Sequence, residues 1–190
     1  MQLLPTAIPE VLLLEPRVFH DARGYFLESY NRRTLAPLGV TCDFVQDSAS
    51  FSHRGTLRGL HFQKAPHAQA KLVRVVAGKI LDVALDIRAG SPTFGQAVVT
   101  ELTGENNRAL FIPWGFAHGF VALTDAHVAY KTDGYYAPES DGAVNALDAD
   151  LEIDWQVPAC ALIVSPKDAA ARSWQAYCDD PAFVFEGAAS

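Results

Sequence analysis

Two histidines stand among residues suited to moving protons. His61 lies in Leu57-Arg58-Gly59-Leu60-His61-Phe62-Gln63, and His118 closes Pro113-Trp114-Gly115-Phe116-Ala117-His118. The other candidates are Arg23, Arg58, Lys71, Arg74, Tyr130, Lys131, Lys167 and Asp168. Imidazole, with an ordinary pKa of roughly 6.5, takes and gives protons at neutral pH. Fixed ammonium and guanidinium groups stabilise oxyanions and hold phosphates. The set suits acid–base chemistry on an anionic ligand. Phosphate-cradling glycine loops are missing: no GxGxxG follows a strand pattern, and neither GxxxxGK[ST] nor GxSxG occurs. A Rossmann, P-loop or nucleophile-elbow device is therefore not expected.

Metal binding is the other common use of paired histidines. Pro113 to His118 matches the PxGxxH half of the cupin signature. The first half of that signature pairs two histidines as HxH and adds a downstream glutamate. Here Gln63 takes the second histidine's place, and no glutamate follows until Glu101. Two histidines are too few for a zinc or iron centre, which normally takes three or more protein ligands. The expectation is a cupin-like barrel that has lost its metal.

The elements that must position these residues read as β. In Ile80–Ile87, Leu81, Val83, Leu85 and Ile87 fall on one face and Asp82 and Asp86 on the other, the period-two pattern of a strand with two different sides. Similar short runs are Lys71–Val76, Ala97–Leu102, Ala109–Ile112, Phe120–Leu123 and His127–Thr132, with turn residues between them. Strands so spaced predict an all-β sandwich or barrel. Helix is sparse. Residues 29–38 read as a short helix ended by Pro37 and Gly39. A second helix, starting at Ser165-Pro166-Lys167-Asp168, is predicted to run to Tyr177.

Composition bounds the setting. Apolar residues make up 49% of 190 and charged residues 19%, which excludes a mainly disordered chain. Asp and Glu number 22 against 15 Lys and Arg, so a broad basic surface for nucleic acid is not expected. Cys42, Cys160 and Cys178 form no CxxC motif and are odd in number, which favours a reducing compartment. No Lys or Arg precedes Arg17, and no apolar run approaches the roughly 18 residues of a membrane span. Residues 1–190 read as one soluble, cytoplasmic domain with no membrane partner.

Eight segments in order carry a family resemblance. They are Phe19–Tyr30, Phe44-Val45-Gln46-Asp47, Leu57–Gln63, Lys71–Val75, Ser91–Gly95, Ile112–Phe120, Tyr130-Lys131-Thr132 and Ser165–Asp168. Together they resemble the dTDP-4-dehydrorhamnose 3,5-epimerase family over residues 1 to about 177. The resemblance implies a cupin-type double-sheet jelly roll with a few short helices. It also implies a homodimer without cofactor, acting on a dTDP-4-keto-6-deoxy sugar. By that resemblance His61 removes the proton beside the ketone, Asp168 pairs with its imidazole, Lys71 stabilises the enolate oxygen and Tyr130 returns a proton from the opposite face. Arg23, Glu28, Gln46, Arg58, His118 and Lys167 match positions that hold the nucleotide, its diphosphate or the sugar. Tyr136, beside Tyr135, offers a face for thymine, with surface packing as the alternative; Trp114 reads as packing.

Departures from the family pattern flank the pocket. Ser48 stands where an asparagine is common, Ala70 replaces a glycine before the lysine, and Asp141-Gly142 replaces Glu-Gly. Residues 146–149 and 153–158 also differ. Ser48 and Asp141 are counted with the substrate-binding set. A 3- or 5-epimerase for another dTDP-deoxysugar, and a non-catalytic sugar-nucleotide-binding cupin, are the alternatives.

Overall fold

The computed structural model describes residues 1–185 and Gly187. Two mainly antiparallel sheets face each other. The first runs, in spatial order, Gln2–Leu4, Leu12–Glu15, Ala109–Ile112, Lys71–Ala77, Ala126–Thr132 and Gln46–Ser52. The second runs Ala97–Thr103, Lys79–Asp86, Phe116–Ala122, Thr56–Gln63 and Asp141–Ala143, with Ile163–Val164 added in parallel beside Thr56 and Leu57. From Gln46 onward successive strands mostly alternate between the sheets, giving the double-sheet jelly roll.

The alternation expected of barrel strands builds the core. Val73, Val75, Leu110, Ile112 and Val128 from the first sheet meet Ile80, Ala84, Val98, Leu102, Phe116 and Phe120 from the second. Leu81, Val83, Leu85 and Ile87 do share a face, as their spacing predicts. They point outward and are buried under the C-terminal segment, against Val144, Leu151, Trp155 and Tyr177. The Asp82 and Asp86 face is not a water face: both carboxylates are fully buried.

Both helices depart from expectation, the first by starting at Arg32 and carrying Pro37 inside its last turn. The first becomes an α-turn at Arg32–Leu35 continued by a 3-10 turn at Ala36–Leu38, closed by Gly39 at φ +101°. The single helix predicted from 165 to 177 is two, Pro166–Ala169 and Trp174–Asp179. Between them Arg172 is drawn into a bridge with Val144, and its carbonyl accepts from the Asn145 N–H at 2.8 Å. Ser173 then caps a new helix by accepting from the Ala176 N–H. No described helix is long and apolar enough to cross a membrane.

Candidate active site

A cavity of about 290 Å³ opens at one end of the barrel, between the two sheets. His61 and Arg58 reach it from Thr56–Gln63, although three residues apart on a strand they would ordinarily point to opposite sides. The reason is a bulge. On the neighbouring strand His118 pairs with His61 while Phe120 pairs with Arg58, so Gly59 and Leu60 oppose Gly119 alone. Gly59 has φ +121°, and a Cβ there would lie 2.5 Å from Gly119 Cα. Only a residue without a side chain lets the two backbones approach in this way.

His61 is oriented from behind. Its Nε2–H donates to Asp168 Oδ1 at 2.6 Å, and that carboxylate is buried. Asp168 is held in turn by the cap of its own short helix, where its N–H donates to Ser165 Oγ at 3.0 Å. With Nε2–H committed to the carboxylate, Nδ1 keeps the lone pair of the neutral ring. Burial pulls the His61 pKa below its ordinary value; Asp168 opposes the shift, and Lys71 and Lys167 add to it.

Lys71 begins the strand Lys71–Ala77, and its Nζ lies 3.5 Å from the His61 carbonyl oxygen. Desolvation lowers its pKa to about 8, against the upward pull of Asp82 and Asp141. Asp82, fully buried behind the cavity wall, is a residue to which neither the spacing nor the resemblance gives a role. Its Oδ1 accepts from His118 Nε2 at 2.8 Å, and its Oδ2 is buried with no hydrogen-bond partner among the described residues. A signal for it exists in the alternation of Ile80–Ile87, since a carboxylate on a strand buried on both faces must be paired or functional.

Tyr130 enters from the first sheet, on Ala126–Thr132 between Ser48 and Val73 of the neighbouring strands. Gln46, Arg58, Tyr136, Asp141 and Lys167 also line the cavity. Arg58 is steadied by Ser52 Oγ at 3.0 Å and the Phe51 carbonyl oxygen at 3.2 Å. Lys167 forms an ion pair with Asp141, which raises the lysine's pKa. Ser48 is outside the lining and touches it through Gln46, whose Nε2 donates to Ser48 Oγ at 3.1 Å. Trp114 does not pack inside: it is exposed and donates from Nε1 to Asp133 at 2.9 Å.

Arg23 and Glu28 do not reach this cavity. Arg23 sits at the turn of a separate hairpin, Val18–Asp21 with Gly24–Leu27, 90% exposed and paired with Asp21. Glu28 follows that hairpin and accepts from Asn31 and Thr34. Among the described residues no three His, Cys, Asp or Glu side chains converge as a metal site. Both cavity histidines give a ring nitrogen to a carboxylate, and Gln63 gives its amide to backbone.

The family model for dTDP-4-dehydrorhamnose 3,5-epimerase matches residues 5–176. The chain belongs to that family. It is 51% identical over 176 residues to the dTDP-4-dehydrorhamnose 3,5-epimerase of Salmonella typhimurium, covering 90% of this chain and 94% of that protein. A solved structure of the dTDP-6-deoxy-D-glucose-3,5-epimerase of Legionella pneumophila, in complex with dTDP-4-keto-L-rhamnose, is 48% identical. It has a TM-score of 0.87 and covers 90% of this chain and 92% of that one. The dTDP-4-dehydrorhamnose 3-epimerase of Streptomyces niveus is 38% identical, over 88% of this chain and 81% of that protein. Membership of the dTDP-4-dehydrorhamnose 3,5-epimerase family accounts for the eight ordered segments together.

Proposed function

We propose that this protein is an isomerase that inverts C3 and C5 of dTDP-4-dehydro-6-deoxy-D-glucose, giving dTDP-4-dehydro-L-rhamnose for dTDP-L-rhamnose synthesis. One observation supports it most: His61, backed by Asp168, and Tyr130 line the same cavity from opposite sheets. Inversion at carbon needs a base on one face and an acid on the other, and a base alone returns the proton where it came from.

In this reading His61 Nδ1 takes the proton from the carbon beside the ketone. The electron pair moves into the ring and onto the C4 oxygen, where the Lys71 ammonium meets the growing negative charge. Asp168 stabilises the imidazolium that results. Tyr130 delivers a proton to the opposite face, and the enolate collapses to the inverted ketone. No electrons are gained or lost overall. Arg58 and Lys167 take the diphosphate, Tyr136 the base, and Gln46, His118 and Asp141 the polar groups between.

Arg23 and Glu28 fit this scheme if the hairpin serves a second copy of the chain. Phe19, Tyr25 and Phe26 on that hairpin are exposed, Phe26 by 70%, as suits a surface that another protomer covers. A homodimer in the cytoplasm is the state we assign, with Ser48 at the rim of the nucleotide site.

Solvent deuterium incorporation into dTDP-4-dehydro-6-deoxy-D-glucose, read by NMR, tests the function. Deuterium at both C3 and C5 with L-configured product is expected. Exchange and inversion at C3 alone would place the protein with the 3-epimerases, and no exchange at all would leave a binding protein.

A further inference from the structure

Gln63 has no task in the reaction above, yet its whole amide is engaged. It is buried at the end of Thr56–Gln63. Its Nε2 donates to the carbonyl oxygens of His67 at 2.7 Å and Tyr135 at 3.2 Å. Its Oε1 accepts from the Ala137 N–H at 2.7 Å. These partners belong to two connections, 64–70 and 133–137, with no strand or helix of their own. Tyr136 lies between two of the bonded residues. Its own N–H donates to Gln46 Oε1 at 3.2 Å, so two glutamine side chains hold three consecutive residues. The Tyr136 ring is exposed and lines the cavity, which puts it at the opening.

We propose that Gln63 is a positioning residue, which fixes the Tyr135–Ala137 backbone so that the Tyr136 ring stands as a stacking face for the base of the bound nucleotide. The proposal rests on the nucleotide-sugar reading and adds to it the part that builds the base subsite. A loop without regular structure owes its place to side-chain bonds, and an amide with two donor hydrogens and an acceptor can tie several peptide units at once. The strand that carries His61 thereby also sets the aromatic face, from two residues further on. The same geometry explains why glutamine, and not a histidine, follows His61 at this spacing: imidazole cannot donate two hydrogens from one atom while accepting beside it.

Affinity for dTDP by calorimetry, with kcat and KM, on Gln63→Met, Tyr136→Ala and the double variant tests this. Methionine keeps the length of glutamine and none of its hydrogen bonds. Tyr136→Ala should weaken dTDP binding roughly 5- to 100-fold, the range for loss of one aromatic under a base. Gln63→Met should lose a comparable factor, with kcat within about threefold of wild type. The double variant should be no weaker than the weaker single, since both remove one interaction. Losses that multiply, wild-type affinity in Gln63→Met, or a kcat that falls as far as affinity would each overturn the proposal. Wild-type affinity in Tyr136→Ala would remove the stacking face and this proposal with it, while epimerisation itself would stand. If Gln63→Met does not fold, Gln63→Asn, with the amide on a shorter stem, is expected to show the same pattern and is judged by the same outcomes.

Discussion

Asp82 holds His118 through one carboxylate oxygen and leaves the other buried without a hydrogen-bond partner among the described residues, on the strand next but one to that of His61. That charge is the largest influence keeping Lys71 protonated against desolvation, with Asp141 second. The proposed mechanism requires neutral His61 and charged Lys71. Activity should therefore rise with pH through a His61 pKa held below its ordinary value, and fall as Lys71 loses its proton at about 8. Asp82→Asn keeps a hydrogen-bond acceptor for His118 and deletes the charge. Its alkaline limb should move to lower pH; an unmoved limb would detach Asp82 from Lys71.

His61→Ala should lower exchange at both carbons by roughly 10²–10⁴-fold, the usual worth of a general base. Asp168→Asn should be impaired in turnover and bind dTDP within a few-fold of wild type. The carboxylate hydrogen-bonds the imidazole, and the backbone of Asp168 is tied to its own helix cap. Near-wild-type exchange in either variant would take that residue out of the mechanism.

Tyr130→Phe separates proton removal from inversion. Solvent deuterium should still wash into the substrate, because His61 and Lys71 remain. Inverted product should fall by roughly 10²–10⁴-fold for want of a donor on the first sheet. Inversion at the wild-type rate would defeat the two-wall mechanism.

Affinity for dTDP should fall with added salt and with Arg58→Ala or Lys167→Ala. The chain carries a formal net charge of −7, so only a local cluster attracts a diphosphate. Removing one charge-assisted hydrogen bond to the diphosphate should cost about 1.5–3 kcal/mol. Arg23→Ala should show the same loss if the hairpin serves a neighbouring copy. Titration calorimetry at two ionic strengths decides the matter; salt-independent binding would move the nucleotide elsewhere.

Gly59→Ala should be among the most damaging single-methyl changes. Its Cβ would meet Gly119 Cα at 2.5 Å and the His118 carbonyl oxygen at 2.8 Å, at a φ of +121°. Such strain costs about 1–3 kcal/mol, and the thermal midpoint should drop by at least about 2 °C. An unchanged midpoint in a scanning calorimeter would show that the bulge yields easily.

The strands Ala109–Ile112 and Ala97–Thr103 are legible in the sequence because their apolar runs end at turn residues. Thr56–Gln63 is less so, because its bulge breaks period two between Arg58 and His61. Alternation in Ile80–Ile87 is correct, but it carries no sign: on a central strand covered from both sides it cannot tell core from exterior, so Asp82 stands out only once both faces are known to be buried. The single helix to Tyr177 fails because Val144 captures Arg172, a tertiary contact that outweighs a strong local start signal. Only family resemblance pairs His61 with Asp168 from sequence. Nothing local links residues 107 positions apart.

That separation has a consequence for the order of assembly. Every main strand of the barrel is complete by Ala143, whereas the carboxylate that arms His61 arrives with a tail that first crosses the outer face of the second sheet. Lys167, which lines the cavity, comes with that same tail, so the cavity wall and the His61–Asp168 pair are completed together. On the mechanism proposed above, full proton abstraction by His61 therefore requires the C-terminal segment to be docked on the second sheet, because the carboxylate that orients the imidazole belongs to that segment.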